Sequence, residues 1–332
     1  MRALTLTRPA PITAAPLALV DIPRPEPGPG ELLLKVSACG LCHADLHIID
    51  GELPPHKLPL VPGHQVVGRV ELVGPGVSRF QPGERVGVPW LYSTCGECKF
   101  CQGGRENLCP RARFTGYDVD GGYAQYTVVH QDFALPIPEA FADERAAPLL
   151  CAGIIGYRAL RLAGAQPGER LGLHGFGASA HITLQVAVHL GAQAYVFSRS
   201  QEHRRLAEDL GAAWTGDAQA PPGEKLDAAI IFAPAGELAP VALDALDRGG
   251  RLVLAGIYMT PIPELAYERL YHERSIRSVA NATRQDGAEF LKLAAEAPVR
   301  TEVQTFPLRE ANRALQLLKE GKVQGAGVLV IT

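Results

Sequence analysis

Two kinds of hydrophobic patterning divide the chain. Up to about residue 150 the apolar positions come in short alternations, such as Gln65-Val66-Val67-Gly68-Arg69-Val70-Glu71-Leu72-Val73 and Arg85-Val86-Gly87-Val88, interrupted by Gly and Pro. Period-two runs broken by frequent turn residues predict short strands of an irregular β domain. Pro23-Arg24-Pro25-Glu26-Pro27-Gly28-Pro29-Gly30 has the composition of a linker. Too few residues precede it to form a domain, so an exposed loop between strands is expected there.

Beyond Cys151 the pattern changes. Arg170 to His174 reads as a strand, and Ala180 to Leu190 carries Ile182, Val186 and Leu190 at helical spacing. A strand over Ala194–Ser198, a polar helix over Glu202–Leu210, a strand over Asp227–Phe232, a helix over Leu238–Leu246 and a strand over Arg251–Gly256 follow. Repeated β-α units of this length predict an α/β domain with a doubly wound parallel sheet. The C-terminal stretch contains one helix near Arg309–Lys319 and a strand-like Gly327–Ile331, which can return to the first domain. There is no internal repeat and no low-complexity tract.

Composition narrows the class. A chain of 332 residues is about twice what one hydrophobic core usually serves. Hydrophobic residues at 47% and charged residues at 20% are ordinary for a globular protein and too apolar for disorder. The net charge of −3 removes any global electrostatic case for nucleic acid or an anionic membrane as partner. No apolar stretch approaches the ~20 residues that span a bilayer. Arg8, Pro9, Pro11 and Pro16 interrupt any apolar signal-peptide core, so a cytoplasmic location is expected.

The seven cysteines, Cys39, Cys42, Cys95, Cys98, Cys101, Cys109 and Cys151, lie in the first half of the chain. Such clustering in a reducing compartment points to metal or catalysis rather than disulfides. Cys95, Cys98, Cys101 and Cys109 offer four thiolates from one short loop. Four thiolates satisfy tetrahedral Zn²⁺ completely and leave no open position, which is the pattern of a structural site. An iron–sulfur cluster is the rival, because the x2 intervals and Cys109-Pro110 resemble a ferredoxin run, but that run has three residues before its last Cys and this one has seven. A zinc-ribbon nucleic-acid module would need more basic surroundings.

Gly175-Phe176-Gly177-Ala178-Ser179-Ala180 is a G-x-G-x-x-A turn between a predicted strand and a predicted helix. The first Gly permits the tight turn, the second lets a pyrophosphate approach the backbone, and Ala180 allows close helix packing. An NAD-preferring site would carry Asp or Glu at the end of the second strand. That strand ends Phe197-Ser198-Arg199-Ser200, with His203, Arg204 and Arg205 one turn on. Ser198 can hydrogen-bond a 2′-phosphate and Arg199 can pair with it, so NADP(H) is favoured over NAD(H). The competing reading is that these Arg are a solvated helix face.

Gly40-Leu41-Cys42-His43-Ala44-Asp45, Pro62-Gly63-His64-Gln65 and Leu150-Cys151-Ala152-Gly153 add a further constellation that spacing alone would not unite. With these three segments and the cysteine loop, the chain resembles the zinc-dependent medium-chain alcohol dehydrogenases from end to end. The resemblance implies a GroES-like irregular β catalytic domain built from residues 1–152 and 286–332, with a Rossmann domain of residues 153–285 between them. It implies Cys42, His64 and Cys151 as ligands of a catalytic Zn²⁺ with a fourth position open to water or substrate oxygen, and hence two zinc ions per chain. Asp45 would orient the zinc-bound imidazole of His64, and His47 would end the proton relay. His43, Gly175, Phe176, Gly177, Ala178, Ala180, Ser198, Arg199, His203 and Arg204 would contact the dinucleotide, and Trp90 would line a pocket for small or slender primary alcohols and aldehydes.

Three positions depart from the family's pattern. The hydroxyl that usually precedes the Asp is missing at Ala44. Gln65 stands where the family has Glu near the metal, leaving the site one unit less negative and the metal a stronger Lewis acid. Ala326 stands where an Arg often contacts the cofactor. Two alternatives therefore stay open: a polyol or secondary-alcohol dehydrogenase of the same superfamily, and a redox sensor that binds NADP and zinc without turnover. The resemblance also implies a homodimer or homotetramer.

Overall fold

The structure, a computed structural model, describes residues 1–218, 222–297 and 299–332. It divides into two compact units: Met1–Cys151 with Thr283–Ala295 and Arg300–Thr332, and Ala152–Ala282 with Glu296–Val299.

In the first unit, β1 (Arg2–Leu6) and β2 (Leu17–Asp21) form an antiparallel pair. The Pro/Gly-rich 22–30 segment then loops to β3 (Glu31–Gly40), which is followed by α1 (His43–Ile49) and β4 (Gln65–Val73). Next come β5 (Arg85–Val88), β6 (Leu91–Ser93), the one-turn α2 (Lys99–Gln102), β7 (Arg113–Phe114), β8 (Tyr126–His130), β9 (Leu135–Pro136) and α3 (Asp143–Ala146). The long β3 organises the sheet. β4 runs antiparallel along one edge, and on the other edge β8 pairs with Glu31–Lys35. β4 alternates only in its second half: Gln65–Gly68 are all buried, because that half lies between β3 and β5. Leu32, Leu34, Val36, Val66, Val70, Val86 and Val88 form the core between these strands.

The second unit begins with α4 (Ala152–Ala163) and continues through β10 (Arg170–His174), α5 (Ala178–His189), β11 (Gln193–Phe197), α6 (Gln201–Asp209), β12 (Trp214–Gly216), β13 (Leu226–Ile231), α7 (Leu238–Ala245), β14 (Leu246–Leu254) and β15 (Ser275–Ser278). These strands form one six-stranded sheet in the order β12-β11-β10-β13-β14-β15, with every pairing parallel. This is the doubly wound Rossmann order, whose direction of winding reverses between β10 and β13, and ligands bind at that reversal. The inner strands are buried along most of their length, and β11 from Ala194 to Phe197 and β13 from Ala228 to Ile231 are continuous apolar runs, as parallel strands tend to be when helices cover both sides. Leu190, expected on the buried stripe of α5, is instead its C-cap residue and 43% exposed; Ile182, Thr183, Val186 and Ala187 form the buried face.

The chain then forms α8 (Arg284–Glu296), β16 (Val303–Pro307), α9 (Ala311–Lys319) and β17 (Ala326–Val330). β17 lies antiparallel to the Ala38–Gly40 end of β3 and parallel to β16, so the C-terminus completes the first unit's sheet. GroES-like and Rossmann architectures thus occupy one chain. Among the described residues no single helix is long and apolar enough to cross a membrane.

β10 ends in His174, which is 1% exposed and lies flat on Phe197 at 4.2 Å. Neither of its ring nitrogens has a hydrogen-bond partner among the described residues, and burial lowers its pKa to about 4. The unfolded chain takes up this proton near pH 6.5 and the folded one only near 4, so stability is complete above 6.5 and falls by about 1.4 kcal/mol per pH unit below it. Replacing His174 by Leu is therefore expected to remove about 2 kcal/mol of the stability lost between pH 6.5 and 5. Urea unfolding read from Trp214, 5.1 Å from Phe197, in a Trp90→Phe background measures this. Equal losses in both proteins would show that His174 is protonated within the fold.

Candidate functional site

The first-unit site begins at the turn between β3 and α1. Cys42 is the N-cap of α1, and Asp45, three residues on, reaches back so that its Oδ2 accepts from the Cys42 N–H at 2.9 Å. His64 stands immediately before β4, and Cys151 follows the buried Ala147–Leu150 turn. These segments, remote in sequence, converge. Cys42 Sγ and Cys151 Sγ are 4.0 Å apart, His64 Nε2 is 3.3 Å from Cys151 Sγ, and the three ligand atoms all lie within 4.8 Å of one another. The ligands of a tetrahedral Zn²⁺, with sulfur at ~2.3 Å and nitrogen at ~2.0 Å, sit about 3.5 to 3.8 Å apart, so the set fits that ion with one position left for another ligand.

Asp45 and His64 are both fully buried, with Asp45 Oδ1 2.9 Å from His64 Nδ1. This pairing holds the Nδ1 proton and leaves Nε2 to face the thiols. Burial alone would lower the His64 pKa, but the Asp45 charge and hydrogen bond raise it to about 10. The hydrogen bond between the two thiols pushes Cys42 down and Cys151 up. A divalent cation displaces the thiol protons when it binds.

Around this centre, Trp90 presents its ring to His64 at 4.7 Å in an edge arrangement and is stacked on Phe114 at 5.2 Å and Tyr117 at 5.9 Å. Ala44 is buried and offers no hydroxyl, while His47 Nδ1 lies 2.5 Å from Glu52 Oε2. Gln65 is buried with its side chain over Gly40, and His43 is exposed at the start of α1. Two partners of the expected site residues escaped the sequence reading: Glu52, which pairs with His47, and Tyr123, whose hydroxyl donates to Asp45 Oδ2 at 3.1 Å. The Gly121-Gly122 pair preceding Tyr123 was the available signal.

The cysteine loop closes on itself. Cys95 to Cys101 is 3.8 Å, Cys98 to Cys101 is 3.5 Å and Cys109 to Cys95 is 3.5 Å, close to the ~3.8 Å sulfur spacing of a tetrahedral tetrathiolate site. The N–H of Cys98 donates to Cys95 Sγ and that of Arg111 to Cys109 Sγ, each at 3.4 Å. The backbone N–H of Glu97 leads the causes that lower the Cys95 thiol to about 6. Glu106, 5% exposed, ties the loop to the start of α8 by accepting from the Arg284 N–H at 3.0 Å.

In the second unit the G-x-G-x-x-A turn sits after β10, at the reversal of the sheet. Gly175 has φ +86°, and a Cβ there would stand 3.0 Å from the Ala233 backbone. Gly177 is the N-cap of α5, and a Cβ added to it would meet nothing within 4 Å, so its face is open. The first N–H groups of the helix, from Ala178 on, have no intrahelical acceptor and suit a phosphate. Ala180 is fully buried, and Phe176 packs edge-on at 6.4 Å from His203. At the end of β11, Ser198 Oγ lies 3.5 Å from His203 Nδ1, Arg204 donates to the Ser198 carbonyl at 3.0 Å, and Arg199 is exposed.

Known proteins agree with this arrangement. Residues 28–139 match the alcohol dehydrogenase GroES-like domain and residues 180–296 the zinc-binding dehydrogenase family. A probable alcohol dehydrogenase AdhA of Mycobacterium tuberculosis is 50% identical over 100% of this chain and 97% of its own. Among solved structures, a cinnamyl alcohol dehydrogenase of Sorghum bicolor is similar with a TM-score of 0.90 and 29% identity, covering 99% of this chain and 97% of that one. A cobalt- and zinc-bound thermostable alcohol dehydrogenase of Pyrobaculum aerophilum is similar with a TM-score of 0.91 and 26% identity, each chain covered to 99%. With two thiols and a carboxylate-oriented imidazole in its first unit and a Gly-rich turn at the sheet reversal of its second, the chain belongs to the zinc-dependent medium-chain alcohol dehydrogenase family, oxidoreductases of alcohols and aldehydes.

Proposed function

We propose that the chain interconverts slender primary alcohols and aldehydes at Cys42, His64 and Cys151, with NADP(H) as its preferred hydride partner and a second, structural zinc in the Cys95–Cys109 loop. The observation that carries this reading is the convergence of three ligand atoms, the only three gathered there among the described residues, one of them from an imidazole held by a buried carboxylate. Zinc bound there supplies a Lewis acid for the substrate oxygen. The protein does the rest. Asp45 fixes the tautomer and direction of His64. Trp90, backed by Phe114 and Tyr117, sets a flat apolar wall that excludes bulky substituents next to the reacting carbon. Because Ala44 carries no hydroxyl, the path of the alcohol proton to His47, whose Nδ1 lies 2.5 Å from Glu52 Oε2, would need a water in that place.

Gly175, Gly177 and the N-terminus of α5 would take the pyrophosphate, and Ser198 and Arg199 the 2′-phosphate. A homo-oligomer is supported by Ile257, Tyr258, Ile262, Tyr267 and Tyr271, all at least 43% exposed before edge strand β15. Six cysteines used as thiolate ligands fit a reducing cytoplasm.

Metal analysis is expected to return about two zinc per chain, and an assay over alcohol and aldehyde panels is expected to favour unbranched primary substrates. One zinc, or faster turnover of secondary alcohols, would overturn the respective half of the reading.

A further inference from the structure

Behind the ligand His64 lies a buried phenol, and the local backbone is arranged to hold it there. The 121–123 segment runs against the 61–63 segment, with Gly121 N–H bonded to Val61 O at 2.7 Å, Gly122 N–H to Gly63 O at 2.9 Å and Tyr123 N–H to Pro62 O at 3.0 Å. This places the Tyr123 ring directly over Gly63. A Cβ at residue 63 would lie 2.3 Å from the ring, and φ +97° at this residue disfavours any side chain independently. Tyr123 is 0% exposed, and its hydroxyl donates to Asp45 Oδ2 at 3.1 Å. Burial first, and then the Asp45 charge, raise its pKa well above the ordinary 10, so the group is a neutral donor throughout the working range.

Asp45 therefore has three donors in a closed pocket: His64 Nδ1 on Oδ1, and the Cys42 N–H and the Tyr123 hydroxyl on Oδ2. The Cys42 bond lies along the chain and ties Asp45 to one ligand's backbone. The Tyr123 bond comes from a different segment, the one that also fixes Pro62 and Gly63 beside His64. A carboxylate held from one side only can rotate about its Cα–Cβ axis, and the imidazole it holds would move with it.

We propose that Tyr123 is a positioning residue of the metal centre: its hydroxyl locks the Asp45 carboxylate and so fixes the direction of His64 Nε2 toward the ion. The proposal rests on the assignment of Cys42, His64 and Cys151 as zinc ligands. Tyr123→Phe keeps the ring over Gly63 and removes only the donor. Outer hydrogen bonds of this kind change metal affinity by about 10- to 100-fold, so Tyr123→Phe is expected to release one of its two zinc ions to a chelator about tenfold faster than the unaltered protein, and the other at the same rate. Cobalt placed in the same site should show shifted visible bands in the variant. In an Asp45→Ala background, which removes the partner of the hydroxyl, adding Tyr123→Phe should change nothing further.

Unchanged release and unchanged cobalt bands in Tyr123→Phe would overturn the proposal, as would an equal effect in the Asp45→Ala background. A single zinc in the unaltered protein would instead overturn the ligand assignment beneath it. Should the variant not fold, proton NMR of the holoenzyme with labelled Tyr and His decides. A slowly exchanging tyrosyl hydroxyl proton near the His64 Nδ1 proton supports the bond, and its absence refutes it.

Discussion

Replacing His64 by Ala is expected to leave a folded chain with one zinc instead of two and to lower kcat/KM for alcohol oxidation by about 10⁴-fold, or roughly 5.5 kcal/mol of transition-state stabilisation. The imidazole is the neutral member of the ligand set. Without it, Cys42 and Cys151 remain 4.0 Å apart and can grip a cation only from one side. Asp45 keeps the Cys42 N–H and the Tyr123 hydroxyl, so its buried charge is not stranded and the fold should survive. Zinc analysis, a steady-state assay and a fluorescence titration with reduced dinucleotide separate the effects. Dinucleotide affinity should be little altered, because the groups proposed for its phosphates, Gly175, Gly177, Ser198 and Arg199, belong to the second unit. A His64→Ala protein that retained two zinc ions and a tenth of its activity would show that this imidazole is not a ligand. Cys98→Ser should act on the other zinc instead, by opening the tetrathiolate loop.

What the sequence made legible followed from whether the chemistry is local. Cys95, Cys98, Cys101 and Cys109 fall within one loop, so their spacing alone stated a tetrahedral site. Cys42 and Cys151 are 109 residues apart, and no spacing rule joins them; only the resemblance of the flanking segments did. Tyr123 was invisible for a further reason. Its role depends on how closely two loops approach, and that approach is set by the absence of a side chain at Gly63. In the fold, the β-α units of the second half were legible because short apolar stretches such as Ala194–Phe197 and Ala228–Ile231 alternate with segments of helical spacing. The short edge strand β16, whose Val303–Pro307 has one buried residue, and α8 carried no comparable signal. The Leu190 expectation failed because the helix stops one residue short of it, and Gly191, with φ +86°, turns the chain away.

Arg199→Asp is expected to invert the cofactor preference, changing the ratio of NADPH to NADH affinity by about 10³-fold. The guanidinium has no ion pair or hydrogen bond among the described residues and is exposed just past the end of β11, so no protein carboxylate competes with a phosphate for it. Its neighbour Arg204 is committed to the Ser198 carbonyl and braces the turn. Losing a hydrogen bond to a charged group removes about 1.5–3 kcal/mol. The new carboxylate adds repulsion toward a 2′-phosphate and an acceptor for the bare ribose 2′-hydroxyl of NADH. Together these make about 4 kcal/mol, or roughly three decades of affinity ratio. Arg204→Ala should weaken both cofactors alike, by loosening Ser198, and leave their ratio within about threefold. Fluorescence titration of each protein with both reduced dinucleotides reads these ratios directly. Tighter NADH than NADPH binding in the unaltered chain would overturn the cofactor assignment, whereas an unchanged ratio in Arg199→Asp would move the phosphate contact to Ser198 and His203.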